Sequence, residues 1–264
     1  MLRCLRLSVL LCLAWLAGCA TTEADWTANW TPEKLYAEAR DEMNNKAYEK
    51  AIKLFEKLEG RAAGTHLGQQ AQLEKAYAYF KNGEPVLAVS TLDRFMKVNP
   101  VSPAMDYALY LKGIVNFNDD LGLLSLIAKQ DLAERDQKAA KESYEAFLEL
   151  SKRFPDSKYT PDARQRMTYI VNSLAGYEVH VARYYARKGA HVAAVNRAQQ
   201  ALTDYQGVPA AEEALAILVY SYDALGMTQL RDDSRRVLEN NYPNSSYLKK
   251  PLSGKTSKPW WQLW

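Results

Sequence analysis

Residues 70–100 read QAQLEKAYAYFKNGEPVLAVSTLDRFMKVNP. Ala71, Leu73, Ala76, Tyr77, Tyr79 and Phe80 recur at helical spacing, and Val86, Ala88, Val89, Leu92, Phe95 and Met96 do so again. Between the two runs stand Asn82-Gly83-Glu84-Pro85. Gly83 can close the first helix in a left-handed conformation. Pro85 opens the second at a position that needs no backbone donor, and Pro100 ends it. The small residues Ala76 and Ala88 fall where the helices must come close, and Tyr79, Leu92 and Phe95 fill the space beside them. Such a helix-turn-helix unit cannot bury its apolar faces alone. It needs neighbours stacked on it, which the rest of the chain must supply.

The spacing is that of the tetratricopeptide repeat, one unit per ~34 residues. The expected fold is therefore all-α, a tetratricopeptide-repeat solenoid of about five repeats with an insertion in the third. Thr31 caps the first helix and Pro32 opens it, with Tyr36, Ala39 and Met43 on one face. Ala51, Phe55 and Leu58 mark its partner. These two repeats occupy residues 32–102. The third, 103–158, uses Tyr107, Leu111, Gly113 and Phe117, then a helix from about Lys138 carrying Ala140, Tyr144, Phe147 and Leu150. Between its helices lies an insertion, 118–137, of the length usually kept for function. A long helix from Pro161 and the fourth and fifth repeats fill 159–243. In the fifth, Arg231 stands where the others have Ala51, Ala88, Ala140 and Ala194, as a terminal repeat with a polar face would. Residues 244–264, ending Trp260-Trp261-Gln262-Leu263-Trp264, read as a flexible aromatic tail.

Residues 1–18 read as a signal peptide. Arg3 and Arg6 precede an apolar run, Leu7–Leu16, too short for the ~20 residues that span a bilayer. Leu16-Ala17-Gly18-Cys19 resembles the lipobox of bacterial lipoproteins. That resemblance implies cleavage between Gly18 and Cys19, with diacylglyceryl and N-acyl groups on Cys19. Residue 20 is Ala, not Asp, which in that class favours release to the outer membrane. Residues 19–31 would then be a lipidated tether, with Trp26 and Trp30 either at the membrane interface or stapled to the first helix.

All three cysteines lie within the first 19 residues. That excludes a disulfide framework, a cysteine metal site and a thiol nucleophile from the body. The net charge of +3 gives no reason to expect nucleic acid. His66, His180 and His191 have no ligand spacing, Asp119-Asp120 lacks a calcium-loop pattern, and no phosphate loop or nucleophile elbow is present. The expectation is no enzyme, no metal and no cofactor. What remains is a binding surface. First helices of such repeats line a concave groove, which assigns Tyr36, Arg40, Leu73, Tyr77, Phe80, Tyr107, Tyr110 and Phe117 to a peptide site. Core packing is the competing assignment for each.

Taken together, the lipobox, QQAQLEKAYAYFKN at 69–82, DRFMKVNP at 93–100, Asp106-Tyr107-Ala108-Leu109-Tyr110, an insertion ending Arg135-Asp136, and YYARKGAHVAAVNRAQQAL at 184–202 resemble the BamD family. Its members are outer-membrane β-barrel assembly lipoproteins, also called competence lipoproteins. The resemblance spans about 16–243. It implies a non-catalytic lipoprotein, lipid-anchored on the periplasmic face of the outer membrane. Its N-terminal repeats would receive unfolded barrel precursors. Its C-terminal repeats would bind the periplasmic domains of the barrel-forming subunit, with other assembly lipoproteins alongside. Arg187, Asn196, Arg197 and Asp136 are then partner-binding candidates, with an internal ion pair the competing role for Arg197. One departure stands out: the family's Tyr-Pro-Phe-Gly linker here reads Arg61-Ala62-Ala63-Gly64. The competing reading of the whole chain is a generic tetratricopeptide lipoprotein scaffold in cell-wall synthesis or division.

Overall fold

A computed structural model describes residues 25–117, 131–250 and 252, with residues 131–136 described by backbone alone. Among them are eleven α-helices and no strand. These are α1 (Pro32–Asn44), α2 (Tyr48–Arg61), α3 (His66–Lys81), α4 (Pro85–Val98), α5 (Met105–Asn116), α6 (Asp131–Arg153), α7 (Thr160–Arg187), α8 (His191–Asp204), α9 (Ala211–Ala224), α10 (Thr228–Asn241) and α11 (Ser246–Lys249). The fold is all-α and built of tetratricopeptide-type helix pairs. The described residues divide into two compact units, one ending at Ala71 and the other beginning at Gln72.

In the N-terminal unit, the Thr31 hydroxyl accepts from the Lys34 amide at 3.2 Å and so caps α1, with Pro32 next. α1 and α2 pack face to face. Leu35 and Ala39 meet Ala51, Leu54, Phe55 and Leu58, and Trp30, Tyr36 and Met43 close the edges. The turn between them puts Lys46 at φ 61°, where the matching turns use Gly83, Gly189 and Gly226.

The C-terminal unit is a solenoid in which each apolar cluster is shared by successive helices. Leu73 and Ala76 of α3, Ala88, Leu92 and Phe95 of α4, and Ala108, Leu111 and Val115 of α5 form the first. Met105 and Leu109 of α5 join Ala140, Phe147 and Leu150 of α6 and Ala163, Ile170 and Leu174 of α7 in the second. Val179, Ala182 and Ala186 of α7 meet Ala194, Ala198 and Ala201 of α8 and Ala214, Ile217 and Leu218 of α9 in the third. α7 therefore serves two of these clusters, and its 28 residues extend about 42 Å.

Two expectations are corrected. α6 begins at Asp131, not near Lys138, so the last seven residues of the supposed insertion belong to it. Asp131–Gln137 favours helix by propensity but carries little apolar periodicity. Residues 118–130 lie outside the described set. The tail is not flexible from residue 244. Ser245 caps α11 through the Tyr247 amide, and Tyr247, Leu248 and Leu252 pack against Leu215, Ala216 and Leu238.

α5 and α6 meet at Gly113. The Ser143 hydroxyl, buried on α6, donates to the Gly113 carbonyl at 2.8 Å. A Cβ at Gly113 would lie 2.3 Å from the Phe147 ring. Gly113→Ala should therefore cost about 1–3 kcal/mol by overpacking, read as a lower urea midpoint. Gly60→Ala, where a Cβ meets nothing within 4 Å, serves as the comparison and should hold the midpoint.

Candidate functional site

The richest surface chemistry lies where α5 faces the start of α7. Tyr107, Tyr110 and Phe117 follow one another on α5 and its end. Tyr159, which immediately precedes α7, and Asp162, Arg166 and Tyr169 of α7 follow at i, i+3, i+7 and i+10, so they share one face. Tyr110 stacks on Tyr159 with ring centroids 4.7 Å apart, and Tyr107 lies 5.6 Å from the same ring. The Tyr110 hydroxyl donates to Asp162 Oδ2 at 2.8 Å, and Arg166 Nε donates to that oxygen at 2.7 Å. The Arg166 guanidinium then covers the Phe117 ring at 4.6 Å, and Phe117 meets Tyr169 at 5.7 Å. The result is an aromatic strip with its cation already held in place.

Burial opposes ionisation of Asp162, but the hydrogen bonds from Arg166 and Tyr110 outweigh it and hold the carboxyl below its usual range. Burial, with Asp162 adding to it, raises the Tyr110 hydroxyl. Beside the strip a groove of about 810 Å³ is lined by Phe80, Val86, Val89, Val115, Phe117 and Lys138 among others. Val86 is 70% exposed within it. Phe80 and Phe117 thus share a groove, and Phe117 with Tyr107 and Tyr110 shares the strip. Tyr77 is half-buried with its ring 6.5 Å from Phe80. Leu73 is corrected: it is 5% exposed and packs in the core with Ala88 and Leu92, so it offers nothing to a ligand. In the N-terminal unit Tyr36 is half-buried, its hydroxyl accepting from Gln70 at 2.6 Å, and Arg40 is exposed.

Further along α7, Glu178 is a carboxylate only 3% exposed. Arg197 of α8 donates to it at 3.0 Å. One turn on, Arg183 grips Glu213 of α9 through both carboxylate oxygens, with Nη2 to Oε2 at 2.6 Å. That fork raises the Arg183 pKa, and burial followed by Arg183 and Arg187 lowers that of His180.

A family model described as "YfiO: Outer membrane lipoprotein" matches residues 28–238. The chain belongs to this family. The outer membrane protein assembly factor BamD of Neisseria meningitidis serogroup B is 48% identical over 254 residues, 94% of this chain and 95% of the relative. BamD of Neisseria gonorrhoeae is 47% identical over 94% of this chain and 92% of its own. That of Vibrio cholerae is 32% identical over 89% of this chain and 97% of its own.

Of the residues carried over from the family resemblance, Arg187 and Asn196 are exposed on α7 and α8. Arg197 is tied inward to Glu178. Asp136 lies in α6, its side chain outside the described set, and Gly18 and Cys19 precede the described residues. Sequence reasoning missed Tyr159, Asp162, Arg166 and Tyr169, although their one-face spacing on α7 was readable. The internal ion pair offered as the competing role of Arg197 is the one found, with Glu178 the partner that no local pattern names, and the Arg183–Glu213 pair was missed for the same reason.

Two outcomes follow from these geometries. Arg197→Ala strands a buried carboxylate and should lower stability by about 2 kcal/mol, less than a fully buried pair because Arg197 is partly exposed. Adding Glu178→Gln should restore most of it, as read by thermal unfolding. For Asp162, a lowered folded pKa means that its contribution is present above the unfolded pKa and lost as pH falls through the folded one. Asp162→Asn should therefore flatten the acid limb of stability against pH.

Proposed function

We propose that this protein is a non-catalytic lipoprotein subunit of the outer-membrane β-barrel assembly machine. It scaffolds the complex and receives unfolded barrel precursors on their way into the membrane. The observation that carries this reading is the 48% identity to an outer membrane protein assembly factor across 94% of the chain. Cys19 carries the acyl chains, and the repeats stand on the periplasmic face of the outer membrane.

The chemistry of the third repeat supports the receiving role. An unfolded barrel segment is an extended chain with apolar side chains at alternate positions and aromatic ones where its membrane interfaces will lie. The Tyr107–Tyr110–Tyr159 strip offers ring faces, and the adjoining groove offers Val86, Val89 and Phe117. Aromatic and arginine side chains contribute most to such interfaces. Fixing Arg166 through Asp162 removes much of the entropy cost of ordering it on binding. Further along, Arg187 at the end of α7 and Asn196 on α8, both exposed, offer polar contacts to the periplasmic domains of the barrel-forming subunit. Other assembly lipoproteins complete the complex. A scaffold in cell-wall synthesis or division is the alternative, and the assembly-factor names of near-full-length relatives argue against it.

Affinity purification of the acylated protein from detergent-solubilised outer membranes should recover one large barrel protein with periplasmic domains. Recovery of cell-wall or division proteins alone would sink the assignment. The groove has its own test. Val86→Glu places a charge on an exposed groove wall. It should weaken binding of an aromatic-ending precursor peptide about tenfold, roughly 1.4 kcal/mol, with the melting temperature unchanged. Equal affinity for both proteins would remove the groove from the receiving surface.

A further inference from the structure

The segment after Cys19 should be a loose tether by composition, yet from Asp25 onward it is fastened to α2. The Asp25 carboxylate accepts from Lys57 Nζ at 2.5 Å, from Arg61 Nη2 at 2.8 Å and from the Thr27 hydroxyl at 2.7 Å. Arg61 Nη1 also donates to the Thr27 carbonyl at 2.7 Å and the Trp30 carbonyl at 3.2 Å. Thr27 is fully buried by these contacts. Lys57 above all, then Thr27, hold the Asp25 carboxyl well below the usual carboxylate range. Arg61 is the first residue of the linker that departs from the family pattern. In this chain it is the residue that closes the clamp.

The clamp leaves the two tryptophans in different places. Trp30 packs at the edge of the α1–α2 core. Trp26 stands out from the surface, 66% exposed, with its ring edge-on to Trp30 at 4.8 Å. A lysine attends each ring: Lys34 Nζ lies 4.4 Å from the Trp30 centroid and Lys57 Nζ 5.6 Å from that of Trp26. Tryptophan bodies with ammonium groups beside them match the chemistry of a bilayer's headgroup layer, where indoles settle and lysines meet anionic phosphates.

Resting on the reading of Cys19 as the acylated anchor, we propose that the Trp26–Trp30–Lys34–Lys57 face lies on the phospholipid headgroups of the membrane that holds that anchor. Chain length supports this occupant over a distant protein. Only six residues stand between Cys19 and Trp26, so their Cα atoms lie within about 25 Å of each other even when the segment is fully extended. The clamp then turns a lipid tether into an oriented mount: α2 follows the membrane surface through Asp25 and Arg61.

The test uses the full acylated chain in phosphatidylethanolamine–phosphatidylglycerol vesicles. Trp260, Trp261 and Trp264 are replaced by Phe so that Trp26 and Trp30 supply the emission of the mature chain. With phospholipid brominated near the headgroup, emission should shift to the blue and lose most of its Trp26 component. Trp26→Phe should remove most of the quenching and leave the smaller share of the part-buried Trp30, and Asp25→Asn should reduce the Trp26 share by freeing the loop, with circular dichroism unchanged in both. Protein that floats with vesicles while Trp26 stays unquenched overturns the proposal and leaves the anchor reading intact. Protein that does not float overturns both. Shielding of Trp26 only after other assembly subunits are added would show a protein on this face and overturn the proposal as well.

Discussion

A two-helix unit has apolar residues on more than one face, and one partner helix covers only part of them. Everything in the C-terminal unit follows from that shortage. Each cluster is completed by a helix from the next repeat: α5 closes the cluster of α3 and α4, α7 closes that of α5 and α6, and α9 closes that of α7 and α8. Alanine makes the arrangement workable. Ala76, Ala88, Ala108, Ala182, Ala194 and Ala214 are all fully buried. At these positions backbones approach closely, while Phe95, Phe147 and Ile170 fill the volume between helices. The larger side chains set the energy, and the small ones set the register.

This division explains what the sequence made legible. Apolar periodicity and Gly/Pro punctuation mark helices wherever a helix buries one face, which holds for α1 to α5 and for α7 to α9. It fails at the start of α6, where Asp131–Gln137 is helical without a clear apolar stripe. It fails again after residue 243, where Tyr247 and Leu248 find a cluster that no local pattern announces. Leu73 shows the same limit from the other side. Its spacing fits the groove as well as the core, and only the position of Ala88 and Leu92 decides between them. The acidic partners of Arg183 and Arg197 are 30 and 19 residues away, beyond any helical repeat.

The ends of the array need different solutions from its middle. Arg231 occupies on α10 the place that alanine takes in earlier repeats, and it is held by Asp223 and Asp232, each at 2.8 Å. A guanidinium there denies a further helix the close approach that alanine permits. Only Leu238 of α10 is buried, and α11 with Leu252 covers that remaining patch. At the other end, Asp25 and Arg61 close the first pair with charge rather than apolar surface. One end refuses another repeat, and the other fastens the chain that leads to Cys19.

α7 sets the geometry between the two surfaces of interest in the C-terminal unit. Its start carries Asp162 and Arg166 of the aromatic strip, with Tyr159 at its N-cap, and its later turns carry Glu178 and Arg183. Asp162 and Glu178 are 16 residues apart on one unbroken helix, about 24 Å. Both ends are built into clusters with neighbouring repeats, so neither can shift without disturbing buried contacts. Gly176 leaves space where a Cβ would meet nothing within 4 Å, yet the helix continues through it. The continuity comes from Ala175 and Val179 on either side, both buried against neighbouring elements. A peptide bound at the strip and a partner bound near Arg187 would therefore meet the same rigid rod, and the packing of α6, α8 and α9 on that rod holds the two surfaces at one spacing.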